Sequence, residues 1–162
     1  MHARNIVLAV LAAAVTVTSA ASAVPTAAKQ RVAINMKVIP ESTFALTPLR
    51  PGALKRDSGS IKGSRNWRQI GCPEVLRDGQ IVWMCSPVTW TLSGKLGTLT
   101  IREKNEWVDP GNDQSGCHIA FGAWKVVRGT GQYAGITGGG RSAHEAHCNE
   151  WYARQEGFVS VP

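Results

Sequence analysis

Six glycines occupy the twelve residues 129–140, GTGQYAGITGGG. A loop of that kind could cradle a phosphate, because Gly129, Gly131 and Ala134 satisfy the loose pattern G-x-G-x-x-G/A by which a dinucleotide's pyrophosphate is held. That chemistry needs a helix behind the loop, its N-terminus turned to the anion. Residues 133–141 contain four glycines, each costing about 1 kcal/mol relative to Ala in a helix, so the helix is not expected. No dinucleotide or other cofactor is expected either.

The other residues able to do chemistry are few. His144-Glu145-Ala146-His147 falls one residue short of the zinc-protease motif, whose histidines sit four apart on a helix face. Three apart on a strand they point to opposite sides, so His144 reads as part of a solvent-facing strand end, and His118 beside Cys117 reads the same way. No metal site is expected. No G-x-S-x-G occurs, which leaves hydrolase chemistry without a nucleophile elbow.

Six tryptophans, at 67, 83, 90, 107, 124 and 151, either fill a core or line a pocket for an aromatic, lipid or sugar ligand. Trp83, Trp90 and Trp124, together with Glu103, are the candidate ligand-contacting residues. Glu103 is also the one weak candidate for a catalytic acid.

The elements that must position these groups are strands. The chain opens with Arg4, an uncharged run from Ile6 to Val17, and Ala21-Ser22-Ala23. That order is a secretory signal over 1–23, too short for a membrane span, and it predicts a secreted protein. Residues 24–56 carry six basic residues against the single acid Glu41, with one strand over Val32–Ile39 followed by a loop broken by Pro40, Pro48 and Pro51. The remainder is nearly neutral, with 11 basic and 10 acidic residues. There is no run of five like charges and no basic patch interleaved with aromatics, so no nucleic-acid partner is expected. From Asp57 onward, short alternating apolar runs separated by Gly, Pro, Asn and Asp predict an all-β domain over 57–162.

Two pairings can be read in detail. The hairpin Val88–Ser93 and Thr98–Lys104, turning on Lys95 and Leu96, sets Leu92 against Leu99, Trp90 against Ile101 and Val88 against Glu103. Glu103 then ends an apolar face, either as a rim residue or as a polar group inside a cavity. Outside the cytoplasm the four cysteines invite two disulfides. A Cys117–Cys148 bridge between strands flanking the glycine stretch places Trp124 opposite Arg141 and a turn near Gln132 and Tyr133. By elimination Cys72 pairs with Cys85, around a turn at Asp78-Gly79.

The stretch Gly122-x-Trp124-x-Val-Val127-x-Gly-Thr-Gly131-x-Tyr133-Ala-Gly135-Ile-Thr-Gly138-x-Gly140 resembles the signature of the allene oxide cyclase and dirigent-like barrels. Leu92-Ser-Gly-Lys-Leu-Gly-Thr-Leu-Thr-Ile101 resembles the preceding hairpin of their small secreted bacterial relatives. The resemblance implies an antiparallel eight-stranded barrel, closed or nearly so, with a central cavity that in plant members orients reactive terpenoid, lipid or phenolic intermediates, often in a trimer. A homo-oligomer is therefore one expectation. No catalytic acid of the family aligns with a position here, so activity does not carry over. Three readings follow: a secreted barrel that binds a small apolar or aromatic ligand, a cyclase, isomerase or stereochemical template on the same barrel, and an exported protein-binding module such as an inhibitor using residues 40–56 or 105–116.

Overall fold

A computed structural model of the chain describes residues 28–39, 41–64, 73–84, 87–108, 118–147 and 150–162. Ten strands run in chain order as β1 (Ala28–Ile39), β2 (Thr43–Pro48), β3 (Asp57–Gly63), β4 (Glu74–Arg77), β5 (Gln80–Met84), β6 (Val88–Gly94), β7 (Gly97–Val108), β8 (His118–Gly129), β9 (Thr137–His147) and β10 (Glu150–Val161). A 3-10 turn at Gly131–Tyr133 joins β8 to β9, and the described residues include no α-helix.

All pairings are antiparallel. The order β7-β6-β3-β2-β1-β10-β9-β8, with β8 returning to β7, closes an eight-stranded barrel, while β4 and β5 form a hairpin that extends the β6 side of β7. Closure removes the exposed edges that an open sheet of this size would carry. The β6–β7 hairpin has the register expected from its sequence, with Trp90 against Ile101 and Val88 against Glu103.

Alternation decides what lies inside. On β1, Val32, Ile34, Met36 and Val38 are buried while Arg31 and Asn35 are exposed. On β7, Leu99, Ile101, Glu103 and Asn105 are buried between exposed Arg102 and Lys104. The apolar interior gathers side chains from β1, β2, β3, β6, β7, β8, β9 and β10, and its large members include Trp90, Trp124, Trp151 and Tyr133.

Three expectations change. Residues 24–56 supply β1 and β2, two of the eight barrel strands, so the barrel begins N-terminal to residue 57 and Pro48 closes a strand instead of interrupting a loop. The β8–β9 ladder sets Trp124 against Gly140, not Arg141. Directly opposed residues share a face, so an Arg141 partner would bring a guanidinium inside with Trp124; the one-residue difference keeps Arg141 outside. His144, expected at the surface, points inward and is 3% exposed. The four cysteines, Trp67 and the signal segment lie outside the described residues.

One end of the barrel is closed by side chains. Gln30 Nε2 donates to Arg50 O at 3.0 Å, and Gln30 Oε1 accepts from Leu54 N at 3.0 Å. This ties the β2–β3 connection across the barrel end. Beside it, Asp57 accepts hydrogen bonds from Tyr133 Oη at 2.8 Å and from the backbone N–H groups of Lys95 and Leu96 at 3.1 and 3.3 Å. Gly131 sits at φ 60°, where a Cβ would meet the Leu96 carbonyl. The glycine-rich stretch therefore lets the 3-10 turn lie flat on the β6–β7 turn and swings Tyr133 under the barrel.

Candidate functional site

Toward the other end, the interior carries a polar cluster that alternation alone delivers. Glu103 and Asn105 come from β7, Ser142 and His144 from β9, and Gln155 from β10, all buried. Their strands are brought together by β7–β8, β8–β9 and β9–β10 pairing, with Asn105 opposite Gly122, Gly122 opposite Ser142, and Ser142 opposite Gln155. Gly122 is required there, since a Cβ would collide with the Asn105 side-chain amide and the Lys104 carbonyl.

Glu103 is the hub. Its Oε2 accepts from Trp90 Nε1 at 2.8 Å, and its Oε1 from His144 Nε2 at 2.8 Å and from Gln155 Nε2 at 3.3 Å. Burial by itself pushes this carboxyl up, but the hydrogen bond from His144 and its charge when protonated, then hydrogen bonds from Gln155 and Ser142, outweigh it and hold the group below its ordinary value. These donors keep the carboxylate ionised, with no Lys or Arg in contact among the described residues.

The proton on His144 is placed by a neighbour. Trp151 Nε1 lies 3.1 Å from His144 Nδ1, and an indole N–H only donates. Nδ1 is therefore an acceptor, and the ring proton sits on Nε2, where it is donated to Glu103. Asn105 Nδ2 lies 2.9 Å from the same Nε2, and Asn105 Oδ1 lies 2.8 Å from Ser142 Oγ. Two donors cannot face one another, so the amide is turned by half a revolution, its oxygen toward His144 and its nitrogen toward Ser142. Ser142 is then free to donate to Glu103, in keeping with its contribution to the lowered carboxyl.

One acceptor is left over. Gln155 is 0% exposed and its Oε1 has no hydrogen-bond partner. Reversing this amide would press its oxygen onto the Glu103 carboxylate, so the orientation is fixed and Oε1 stays open.

Aromatic rings surround the cluster. Trp90 and Trp151 pack edge to face at 5.7 Å, Trp151 and Trp107 at 5.5 Å, and His144 lies 5.6 Å from Trp107 and 5.8 Å from Trp151. Trp107 is only half-buried, so the ring group reaches the surface there while Trp90 and Glu103 stay buried.

Of the four candidate ligand contacts, Trp90 and Glu103 touch. Trp124 is buried opposite Glu103 across the β7–β8 ladder and donates to Glu156 O at 3.3 Å. The backbone of Trp83 lies opposite Trp107, farther along β7 from Glu103. The residues that sequence reasoning missed are Asn105, Trp107, Ser142, His144, Trp151 and Gln155. Parity along β9, counted from Gly140 as the partner of Trp124, would have turned Ser142 and His144 inward; the cystine-based register hid it.

The described residues include no cluster of His, Cys, Asp or Glu able to hold a metal ion. Comparison with known protein families, with curated proteins and with solved structures gives no match.

Proposed function

We propose that the protein is an exported barrel that binds a small aromatic or apolar molecule carrying a hydrogen-bond donor, seated among Trp107, Trp151 and Trp90. The observation that carries this reading is the open acceptor: Gln155 Oε1 is buried and unpartnered beside a carboxylate whose own lone pairs are occupied. An unmet buried acceptor costs about 1–3 kcal/mol, which a ligand hydroxyl or N–H would recover, while the rings supply apolar contact. The resemblance of residues 92–101 and 122–140 to the allene oxide cyclase and dirigent-like signature supports the same reading, and kinship with that group is part of the proposal.

A second reading, a cyclase, isomerase or stereochemical template, is favoured by the buried ionised Glu103. It ranks lower because a proton moving through Glu103 would have to displace a donor already bonded to it. The inhibitor reading loses part of its basis, since residues 50–54 are tied to Gln30 inside the barrel end.

The test is quenching of tryptophan fluorescence by phenol and indole against toluene, with native mass spectrometry of the purified protein for a co-purified ligand. Saturable quenching by the donors and a weaker response to toluene is expected, and the Gln155→Met variant is expected to erase the difference. Equal responses to all three compounds, or none that saturates, would sink the reading.

Export also implies oxidised cysteines. β4 and β5 pair as a hairpin turning at Asp78-Gly79, which supports a Cys72–Cys85 bridge. The even number of cysteines supports a second bridge, between Cys117 and Cys148. Thiol titration of the unfolded protein is expected to find no free cysteine; four free thiols in protein taken from an oxidising compartment would refute both bridges.

A further inference from the structure

The six basic residues of 24–56 do not act alike once the chain is folded. Lys37 pairs with Glu41 at 3.0 Å and Arg31 with Glu156 at 3.1 Å. Lys29, Arg50, Lys55 and Arg56 are exposed and make no ion pair with a described residue. They are joined by Lys95 from the β6–β7 turn and Arg128 from the end of β8, also exposed. Because the barrel strands alternate in direction, the start of β1, the β2–β3 connection, the β6–β7 turn and the end of β8 all fall at the closed end of the barrel. Its nearest acid is Asp57, which is buried and already accepts from Tyr133, Lys95 and Leu96.

Among the described residues, strand ends and connections at the opposite end are richer in acids. Glu41, Glu74, Glu106, Glu145 and Glu150 lie on strand ends or connections there, and the cations Lys37 and Arg77 are paired with Glu41 and Glu106. A charge separation of this kind along the barrel axis orients the molecule in front of a charged surface.

Apolar side chains stand beside the cations. Leu49 is 39%, Val127 53% and Phe158 56% exposed. Leu49 is hydrogen-bonded through its backbone to Arg31, and Phe158 lies opposite Arg31 in the β1–β10 ladder, so the three form one row on the outer wall. Val127 adjoins Arg128.

We infer that the closed end docks on a bilayer containing anionic phospholipid, with the cations at the headgroups and Leu49, Val127 and Phe158 in the interface. Charge complementarity selects the anionic surface, and the exposed apolar side chains select lipid over a soluble polyanion, which would leave them in water. This orientation turns the tryptophan-ringed end away from the membrane.

The experiment is co-sedimentation of the full-length mature protein with phosphatidylcholine vesicles, with and without phosphatidylglycerol. Binding is expected only when phosphatidylglycerol is present, and it should weaken with added salt. Each cation near the surface strengthens partitioning about fivefold, so the Lys55→Gln/Arg56→Gln variant is expected to bind about 30-fold more weakly. Phe158→Ser is expected to weaken the salt-resistant part, and Lys62→Gln/Lys104→Gln, on the barrel wall, to leave binding unchanged. Circular dichroism establishes that each variant is folded. Equal binding to both vesicle types, insensitivity to the Lys55 and Arg56 changes, or retention on dextran sulfate without binding to vesicles would each overturn the inference.

Discussion

Replacing Glu103 by Gln leaves the shape of the side chain and removes one acceptor from a site built around two. Oε2 receives the Trp90 N–H at 2.8 Å, while Oε1 receives the N–H groups of His144 and Gln155 at 2.8 and 3.3 Å. The amide keeps one oxygen, and if that oxygen faces His144 and Gln155 its NH₂ meets the indole N–H. One buried donor is then orphaned and the remaining hydrogen bonds lose their charge assistance. A hydrogen bond to a charged group contributes about 1.5–3 kcal/mol and an orphaned buried donor costs about 1–3 kcal/mol, so the variant is expected to lose about 3–5 kcal/mol. For a domain of this size that lowers Tm by about 10 °C or more.

Neutralising a buried charge does not offset the loss, because the lowered carboxyl means the site holds the anion better than water does. The sign of the pH dependence follows. A group whose folded pKa lies below its unfolded value stabilises the fold above the unfolded value, about 4.3 for Glu, and that contribution disappears as pH falls through the folded pKa. Urea unfolding followed by tryptophan fluorescence between neutral and acid pH should show a large gap between parent and variant that narrows in acid. A variant within about 0.5 kcal/mol of the parent at neutral pH would behave like an ordinary surface change and refute the hub. A gap that widens in acid would refute the ionised carboxylate.

The placement of the ring proton is open to nitrogen-15 NMR: His144 is expected as the Nε2–H tautomer, and Trp151→Phe is expected to shift the Nδ1 resonance by removing its indole donor. A proton on Nδ1 in the parent protein would contradict the network. At the closed end, Tyr133→Phe leaves Asp57 without its hydroxyl donor and should cost about 1–3 kcal/mol in denaturant unfolding. Burial and then the Asp57 hydrogen bond raise the Tyr133 phenol; a raised group stabilises fully below its unfolded value, about 10, and loses that contribution as pH climbs toward the folded value. The parent should therefore weaken in strong alkali more than the Phe variant does. Gly122→Ala drives a methyl against Asn105 and the Lys104 carbonyl, and overpacking of this kind is expected to cost about 1–3 kcal/mol, read from the urea midpoint. An unchanged midpoint would mean that β7 and β8 are not in the register described.

Much of the barrel is legible locally. The alternation of Val88 to Lys104, with its Gly94–Gly97 turn, carries the whole β6–β7 register, because a tight turn and a period of two leave no second way to put the apolar residues on one side. The glycine-rich stretch is legible as architecture for a similar reason: too many glycines exclude a helix, and positive φ at Gly131, Gly135 and Gly138 confirms turning and close approach. A cystine pairing used in place of alternation sets the β8–β9 register one residue away from the one observed. That single step carries Ser142 and His144 from one face to the other, so a histidine that completes the site reads from sequence as a surface residue.

What the sequence determined by itself was the β6–β7 parity and turn, with Trp90 against Ile101 and Glu103 on the same face, since these depend on neighbours a few residues apart. Which strands close the barrel was decided only by the tertiary structure. β1 pairs with β10 at the far end of the chain, and Glu103 receives its donors from residues 13, 41 and 52 positions away. Closure is a condition on all eight strands together, and no local pattern states which distant donor will meet a carboxylate once the ring is shut.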